Sequence, residues 1–333
     1  MNKISVLSSK ELKILFEHAE AKNNNKLGLS VIEKDFWVCW VLEKIFSDPE
    51  LKEILCFKGG TSLSKVFNVI ERFSEDIDII LHPKVLGFKL EEKVSNTQQD
   101  KFNKMLIKKG QEYIADVLKN KIENLIKPVC KIKVDEKDPY CLLINYPYTT
   151  NTGYLTPYIK LETGHLASWI PNDIYSVKPY IADILPELKI KSFKLPAIKI
   201  ERTFWEKITI LHSLHHIPKG KNITRYSRHY YDVYRMINSQ YKENFFKNIN
   251  LLAEVAAFKD RYYHSGYSRY DLAKIGTLKL LPTEKLEKEM KKDYENMAVM
   301  IYGSYPSWEE IMNCLQKLEK QINTFKETLI NYE

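Results

Sequence analysis

Apolar residues recur along the chain at two different periods, and the change from one to the other divides the sequence. Near the N-terminus two segments carry helical spacing. Each follows a hydroxyl-to-carboxylate capping box, Ser8 with Glu11 and Ser30 with Glu33, which predicts helices over roughly 9–22 and 30–47. In the second, Ile32, Phe36, Val38, Trp40, Leu42 and Ile45 are too many for one narrow stripe, so burial on more than one side is expected. Ile54 to Phe57 is a short apolar run ended by Gly59-Gly60, and Asp76 to Leu81 alternates charge with isoleucine until Pro83. Two strands separated by a helix follow from that pattern. From Thr97 to Lys127 the spacing is helical and lysine-rich, with Met105, Leu106, Tyr113, Val117, Leu118 and Ile122 as the apolar side. Strands are predicted at Val129–Val134, Cys141–Tyr146 and Pro157–Thr163, each short, apolar or β-branched, and flanked by turn formers.

After Pro196 helical spacing dominates: Ile200–His215, Ser227–Ile237, Lys242–Phe258, Lys285–Met300 and Ser307–Leu329. The expectation is an α+β protein with an α/β domain over 1–195 and a helical domain over 196–333.

Composition narrows the class only a little. The 333 residues are 44% hydrophobic and 28% charged, as in globular proteins, and 11 Gly and 13 Pro exclude a collagen-like or linker-dominated chain. No apolar run reaches membrane-spanning length and residues 1–10 lack a signal-peptide succession, so a soluble, cytoplasmic protein is expected. Five cysteines without a CxxC suggest neither a disulfide framework nor a zinc knuckle. A net charge of +8 modestly favours polyanionic partners, as it does for many soluble proteins.

The chemistry is concentrated between residues 58 and 78. Lys58-Gly59-Gly60-Thr61-Ser62 lies between a predicted strand and a predicted helix, where glycines let the backbone turn tightly and helix-start amides attract anions. The GxxxxGK[ST] spacing of a P-loop is absent, and a lone Gly-Gly is by itself an ordinary turn. Downstream, Asp76 and Asp78 fall on one face of a strand, about 6–7 Å apart. Two carboxylates so placed repel each other unless a cation such as Mg²⁺ compensates them, and Mg²⁺ takes carboxylate oxygens together with substrate phosphates. An isolated DxD is more often an exposed polar strand face; joined to the upstream Gly-Gly it is more specific.

This combination resembles the nucleotidyltransferase superfamily. Lys58 to Lys65, Arg72 to Asp78, Glu33-Lys34-Asp35-Phe36-Trp37, Arg202 to Lys207, Ser227 to Asp232 and the tract from Phe258 to Asp271 are similar, in order, to the AbiEii/AbiGii toxin branch, so the likeness spans roughly residues 30–315. The resemblance implies a polymerase-β-like mixed sheet with flanking helices, a C-terminal helical domain, and an active site in the cleft between them. It implies that Asp76 and Asp78 bind Mg²⁺ and an NTP, with Ser74 in the same motif, and that Lys207 and Asp232 are needed for activity. It further implies nucleotide transfer to RNA, in characterised members the 3′ end of tRNA, with arrest of translation and growth. A separately encoded antitoxin and a role in abortive infection or phage defence belong to the same expectation.

Other residues complete the candidate set. Lys58, Gly59, Gly60, Thr61, Ser62, Ser74 and Arg228 are candidate nucleotide-binding residues. Tyr158, Lys160 and Glu162 share one strand face, so Glu162 is a candidate third metal carboxylate or a base for the acceptor hydroxyl; a plain Lys160–Glu162 surface pair is the alternative. Arg228 and Asp232, at i and i+4, form either a helix salt bridge or a device in which Asp232 positions Arg228 or Lys207 against phosphate. His212, His215 and His216 suggest a partly exposed helix end rather than a metal site. Basic residues interleave with aromatics over 219–228 and 261–270, a composition suited to phosphates and unpaired bases. Two rivals stand beside RNA nucleotidylation: modification of a protein or small molecule by the same site, and a catalytically silent RNA-binding regulatory protein of the same fold.

Overall fold

Helix α1 (Ser9–Lys22) begins with the expected capping box: the Glu11 amide donates to the Ser8 hydroxyl, and the Ser8 amide to the Glu11 carboxylate. The computed structural model describes residues 1–24, 26–87, 96–150, 155–164 and 168–325, and divides into Met1–Lys199 and Ile200–Glu333. Helix α2 (Leu29–Ser47) starts behind Gly28 and makes no side-chain cap. The expected Ser30–Glu33 box does not form, because Glu33 is buried and accepts instead from the Thr149 amide and the Thr150 hydroxyl, each at 2.6 Å. Every residue of α2 from Ile32 to Leu42 is buried, in line with its wide apolar surface.

A seven-stranded mixed sheet fills the first unit, in the order β3-β4-β5-β2-β1-β7-β6. Its strands are β1 (Leu55–Lys58), β2 (Ile77–Leu81), β3 (Lys131–Val134), β4 (Cys141–Asn145), β5 (Tyr158–Gly164), β6 (Asn172–Val177) and β7 (Phe193–Ile198). The central pair β1–β2 is antiparallel, while β2–β5 and β1–β7 are parallel. Short helices α3 (Pro49–Ile54) and α4 (Gly59–Lys65) flank β1, and α2 packs against both β5 and β7. The lysine-rich segment forms α5 (Asn96–Tyr113), one π-helical turn (Ile114–Leu118) and α6 (Lys119–Ile126). Its buried side is Leu106, Ile114, Leu118, Ile122 and Ile126, whereas Met105 is exposed. A short helix α7 (Ile181–Ile184) precedes β7.

Strands β6 and β7 were not expected. Pro196, after which helical spacing is expected, sits within β7 opposite Ile174, and β7 meets β1 in register only at Phe57↔Ala197, which limits what a missing N–H costs. β7 also runs across the boundary expected at 195.

The second unit is helical among its described residues: α8 (Ile200–His215), α9 (Ser227–Ile237), α10 (Lys242–Lys247), α11 (Asn250–Tyr262), α12 (Glu284–Asn296) and α13 (Trp308–Asn323). The single helix expected over 242–258 is broken near Asn248, whose side-chain amide donates to the Asn244 carbonyl and ends α10. Beyond residue 325 the expected last helix lies outside the described residues. Phe204 stacks on Phe245 at 4.2 Å, and Ser307–Glu310 caps α13 with a complete capping box. No helix among the described residues is long and apolar enough to cross a membrane.

The histidines of α8 are structural. The Lys279 amide donates to Nδ1 of His212, so the proton sits on Nε2 and is donated to the Arg269 carbonyl at 2.9 Å. His215 Nδ1 bonds the Leu281 carbonyl at 2.7 Å. His212 is fully buried rather than partly exposed, and burial holds its pKa below the usual value.

Candidate active site

The Gly-Gly turn and the DxD carboxylates meet at the edge of the central strands. Gly59 opens α4 with a φ of +82°, a conformation that side chains resist, and a Cβ there would fall 1.9 Å from Asp78 Oδ2. At Gly60 a Cβ would lie 2.8 Å from Ser74 Oγ and 3.0 Å from an Arg72 guanidinium nitrogen. Both glycines are thus required by close approach of the chain that carries the carboxylates. Thr61 closes the arrangement, its hydroxyl donating to the Asp76 carbonyl at 2.5 Å. Ser62 is fully buried and bonds the Gly59 carbonyl at 2.8 Å, so its hydroxyl is occupied within the turn.

The strand face agrees with the alternation read from the sequence. Asp76 immediately precedes β2, and both it and Asp78 are half-buried while Ile77 and Ile79 are buried. In register, Asp78 lies opposite Lys58 on β1 and Glu162 on β5, and residues so paired share one face. Lysine, aspartate and glutamate therefore form a row across three strands. The Glu162 carboxylate accepts from Lys160 at 2.8 Å, the surface pair that stood as the alternative for it. Among the described residues no group of three His, Cys, Asp or Glu converges as a preformed metal cage. Two half-buried carboxylates beside a glycine turn fit a hard cation that draws its remaining oxygens from water and phosphate.

Three buried charges of α2 reach segments around the sheet. Glu33, Lys34 and Asp35 are consecutive, all buried, and about 100° apart around the helix, so each reaches a different segment. Lys34 Nζ lies 2.6 Å from Glu75 Oε2 and donates to the carbonyl and hydroxyl of Thr156, both at 2.9 Å. Asp35 accepts from Lys65, the last residue of α4, at 2.7 Å and from the Tyr180 amide at 2.6 Å. Burial pushes the Asp35 carboxyl up, against the pull of the Lys65 ammonium. Sequence reasoning assigned no role to Lys34, Asp35, Arg72 or Glu75. The available signal was three successive charges between Val31-Ile32 and Phe36-Trp37, where a helix otherwise reads as core.

In the second unit Lys207 and Asp232 form an ion pair at 2.8 Å, with side-chain exposures of 8% and 0%. Phe204 and Trp205, both fully buried, pack the turn that presents Lys207, whose Nζ also lies 3.5 Å from His229 Nδ1. Asp232 is fully enclosed, and its carboxylate pairs with the Lys207 ammonium. The alternative i,i+4 bridge is not made, and Arg228 is half-exposed with no ion pair among the described residues. Asp293 of α12 caps α9, accepting from the Arg225 amide at 2.7 Å and the Ser227 amide at 2.9 Å, and so fixes the start of the helix that carries Asp232. In the two basic–aromatic tracts Lys219, Lys221, Arg225 and Tyr226 are exposed, as are Tyr263, His264 and Arg269.

The profile of the family described as nucleotidyl transferase AbiEii toxin, type IV toxin–antitoxin system, matches residues 40–316. A comparison with curated proteins returns no match. Among solved structures, the chain is similar to MenT4, a nucleotidyltransferase toxin of Mycobacterium tuberculosis H37Rv, at 14% identity and a TM-score of 0.46, over 95% of this chain and 97% of that one. It is also similar to a candidate nucleotidyltransferase from H. pylori, at 14% identity and a TM-score of 0.41, over 88% and 96% of the two chains. Since the profile covers most of the sequence, the chain belongs to the AbiEii nucleotidyltransferase toxin family of type IV toxin–antitoxin systems.

Proposed function

We propose that this nucleotidyltransferase transfers a nucleoside monophosphate from an NTP to RNA in a Mg²⁺-dependent reaction, with the 3′ end of tRNA as acceptor. Blocked translation and arrested growth in the cytoplasm would follow, held in check by a separately encoded antitoxin, in a system of the abortive-infection type against phage. The observation that carries the reading is the close approach of Gly59 to Asp78: a glycine turn pressed against a strand-borne carboxylate pair brings phosphate and cation to one place.

Each residue then has a part. Asp76 and Asp78 would hold Mg²⁺, which when bound neutralises the triphosphate and lowers the cost of charge on the attacking and leaving oxygens. Glu162 reaches the same face as a further ligand or proton acceptor once Lys160 releases it. Lys58, on the other side of Asp78, offers positive charge to phosphate, and Gly59, Gly60 and Thr61 supply unhindered backbone; Ser62 holds that turn in shape and Ser74 lines it. Lys207 would meet the charge developing on the triphosphate, held in orientation by Asp232, and Arg228 supplies a second cation. The exposed lysines, arginines and tyrosines of 219–228 and 261–270 would contact the RNA.

The test incubates the purified protein with Mg²⁺, each α-³²P-labelled NTP in turn, and total tRNA, beside an Asp76→Ala, Asp78→Ala variant. Label on RNA with the wild type alone supports the reading and identifies the nucleotide. Label on protein or a small molecule would replace the acceptor, and growth arrest that persists in the variant would point to a silent RNA-binding protein.

A further inference from the structure

We infer that Lys34 is a positioning residue for the metal-binding carboxylates: it straps together the two chain segments that lead into the parallel strands β2 and β5. The inference rests on the reading of Asp76 and Asp78 as cation ligands.

The geometry is specific. Glu75 stands one residue before Asp76, and Thr156 two residues before β5, the strand that carries Glu162. Lys34, whose side chain is 1% exposed, meets three acceptors with its three N–H groups: Glu75 Oε2 at 2.6 Å, the Thr156 carbonyl at 2.9 Å and the Thr156 hydroxyl at 2.9 Å. Thr156 in turn donates towards Glu75 Oε2 at 3.4 Å or the Tyr158 carbonyl at 3.1 Å, the latter fixing it to the start of β5. Just ahead of β2, Glu75 is buried and Asp76 half-buried, so the two side chains face different surroundings. Pulling Glu75 inward to Lys34 therefore turns Asp76 outward, onto the face that Asp78 and Glu162 share.

Stability alone does not call for a lysine here. A well-packed apolar side chain in place of a buried ion pair is often neutral or stabilising, because two charges have left water. What the ammonium adds is direction: three bonds to two segments fix their separation and hence the spacing of the carboxylates. A divalent cation senses that spacing through its ligand distances, so the strap acts on metal affinity more than on the persistence of the fold.

The experiment measures Mn²⁺ binding by electron paramagnetic resonance on the full chain, without nucleotide turnover, and the melting temperature of every variant. Lys34→Met alone leaves Glu75 charged and buried, so the variant that decides is Lys34→Met with Glu75→Gln, which removes both charges. The wild type is expected to bind Mn²⁺, and Asp76→Asn with Asp78→Asn to lose binding. The strap double variant is expected to melt near the wild type yet bind Mn²⁺ at least about fivefold more weakly, the loss typical of disturbed outer-shell support being roughly 10–100-fold. Glu33→Ala, which removes another buried charge of α2 with partners at Thr149 and Thr150, is expected to keep wild-type affinity. Wild-type affinity in the strap variant, or an equal loss in Glu33→Ala, overturns the role of Lys34 while leaving the carboxylates as ligands. Absence of Mn²⁺ binding by the wild type overturns both.

Discussion

The two units place charge in opposite ways. In the first, the candidate carboxylates Asp76 and Asp78 are half-buried on a strand face, and the buried ion pairs Lys34–Glu75 and Asp35–Lys65 are made by other residues. In the second, the candidate lysine is itself half of the buried pair, with Asp232 fully enclosed. Site and support are separate in one unit and the same pair of residues in the other. Substitutions at the carboxylates of the first unit should therefore separate activity from stability, whereas at Lys207 in the second the two fall together.

The largest effect is expected at the strand face. Asp78→Asn should lower nucleotide transfer by at least about 100-fold, the scale of losing one charge-stabilising group. Stability should stay within about 0.5 kcal/mol, because a half-exposed side chain outside the core contributes little to folding. Initial rates with labelled NTP and urea unfolding of the same preparation measure both. A matching loss of stability would erase the contrast between the units.

Lys207→Met should behave differently. It removes the ammonium paired with the buried Asp232 carboxylate and is expected to cost about 3–5 kcal/mol of stability, along with activity. Adding Asp232→Asn should restore most of the stability and none of the activity. Urea midpoints for the single and double variants decide it, and a stable single variant would mean that Asp232 finds another partner.

Gly59→Ala sharpens the comparison within the first unit. The added methyl meets both a positive φ and the Asp78 carboxylate, so a cost of roughly 1–3 kcal/mol is expected, together with reduced transfer as Asp78 is displaced. Raising Mg²⁺ should recover part of the rate if displacement, rather than loss of a phosphate contact, is the cause.

Sequence pattern carried some of these features and missed others for physical reasons. Alternation alone placed Asp76 and Asp78 on the outward face, because a strand with buried isoleucines admits one register. Helical spacing gave α8 and α9 at their observed bounds, since each has a long amphipathic period. β7 is not legible because its proline is tolerated where pairing to β1, a strand distant in sequence, is confined to Phe57↔Ala197. Lys34, Asp35 and Glu33 were opaque for the same cause: their partners lie 41, 30 and 116 residues away, beyond any local rule. The mistaken Ser30–Glu33 cap shows the competition directly, for a local motif yielded to a tertiary contact.

The smallest effect expected concerns acid stability in the second unit. His216 Nε2 is buried with no hydrogen-bond partner among the described residues, and burial lowers its pKa to about 4, with His212 and His215 adding to the shift. In the unfolded chain the same group titrates near its ordinary value of about 6.5. As pH falls from about 6.5 towards 4 the unfolded state takes up a proton that the folded state refuses, so the stabilisation present above that window is progressively lost. His216→Gln should remove this component, and its urea midpoint should fall less than that of the wild type between pH 6.5 and 5, above the range in which most carboxylates titrate. Identical slopes would show that His216 is protonated as easily in the folded chain as in the unfolded one.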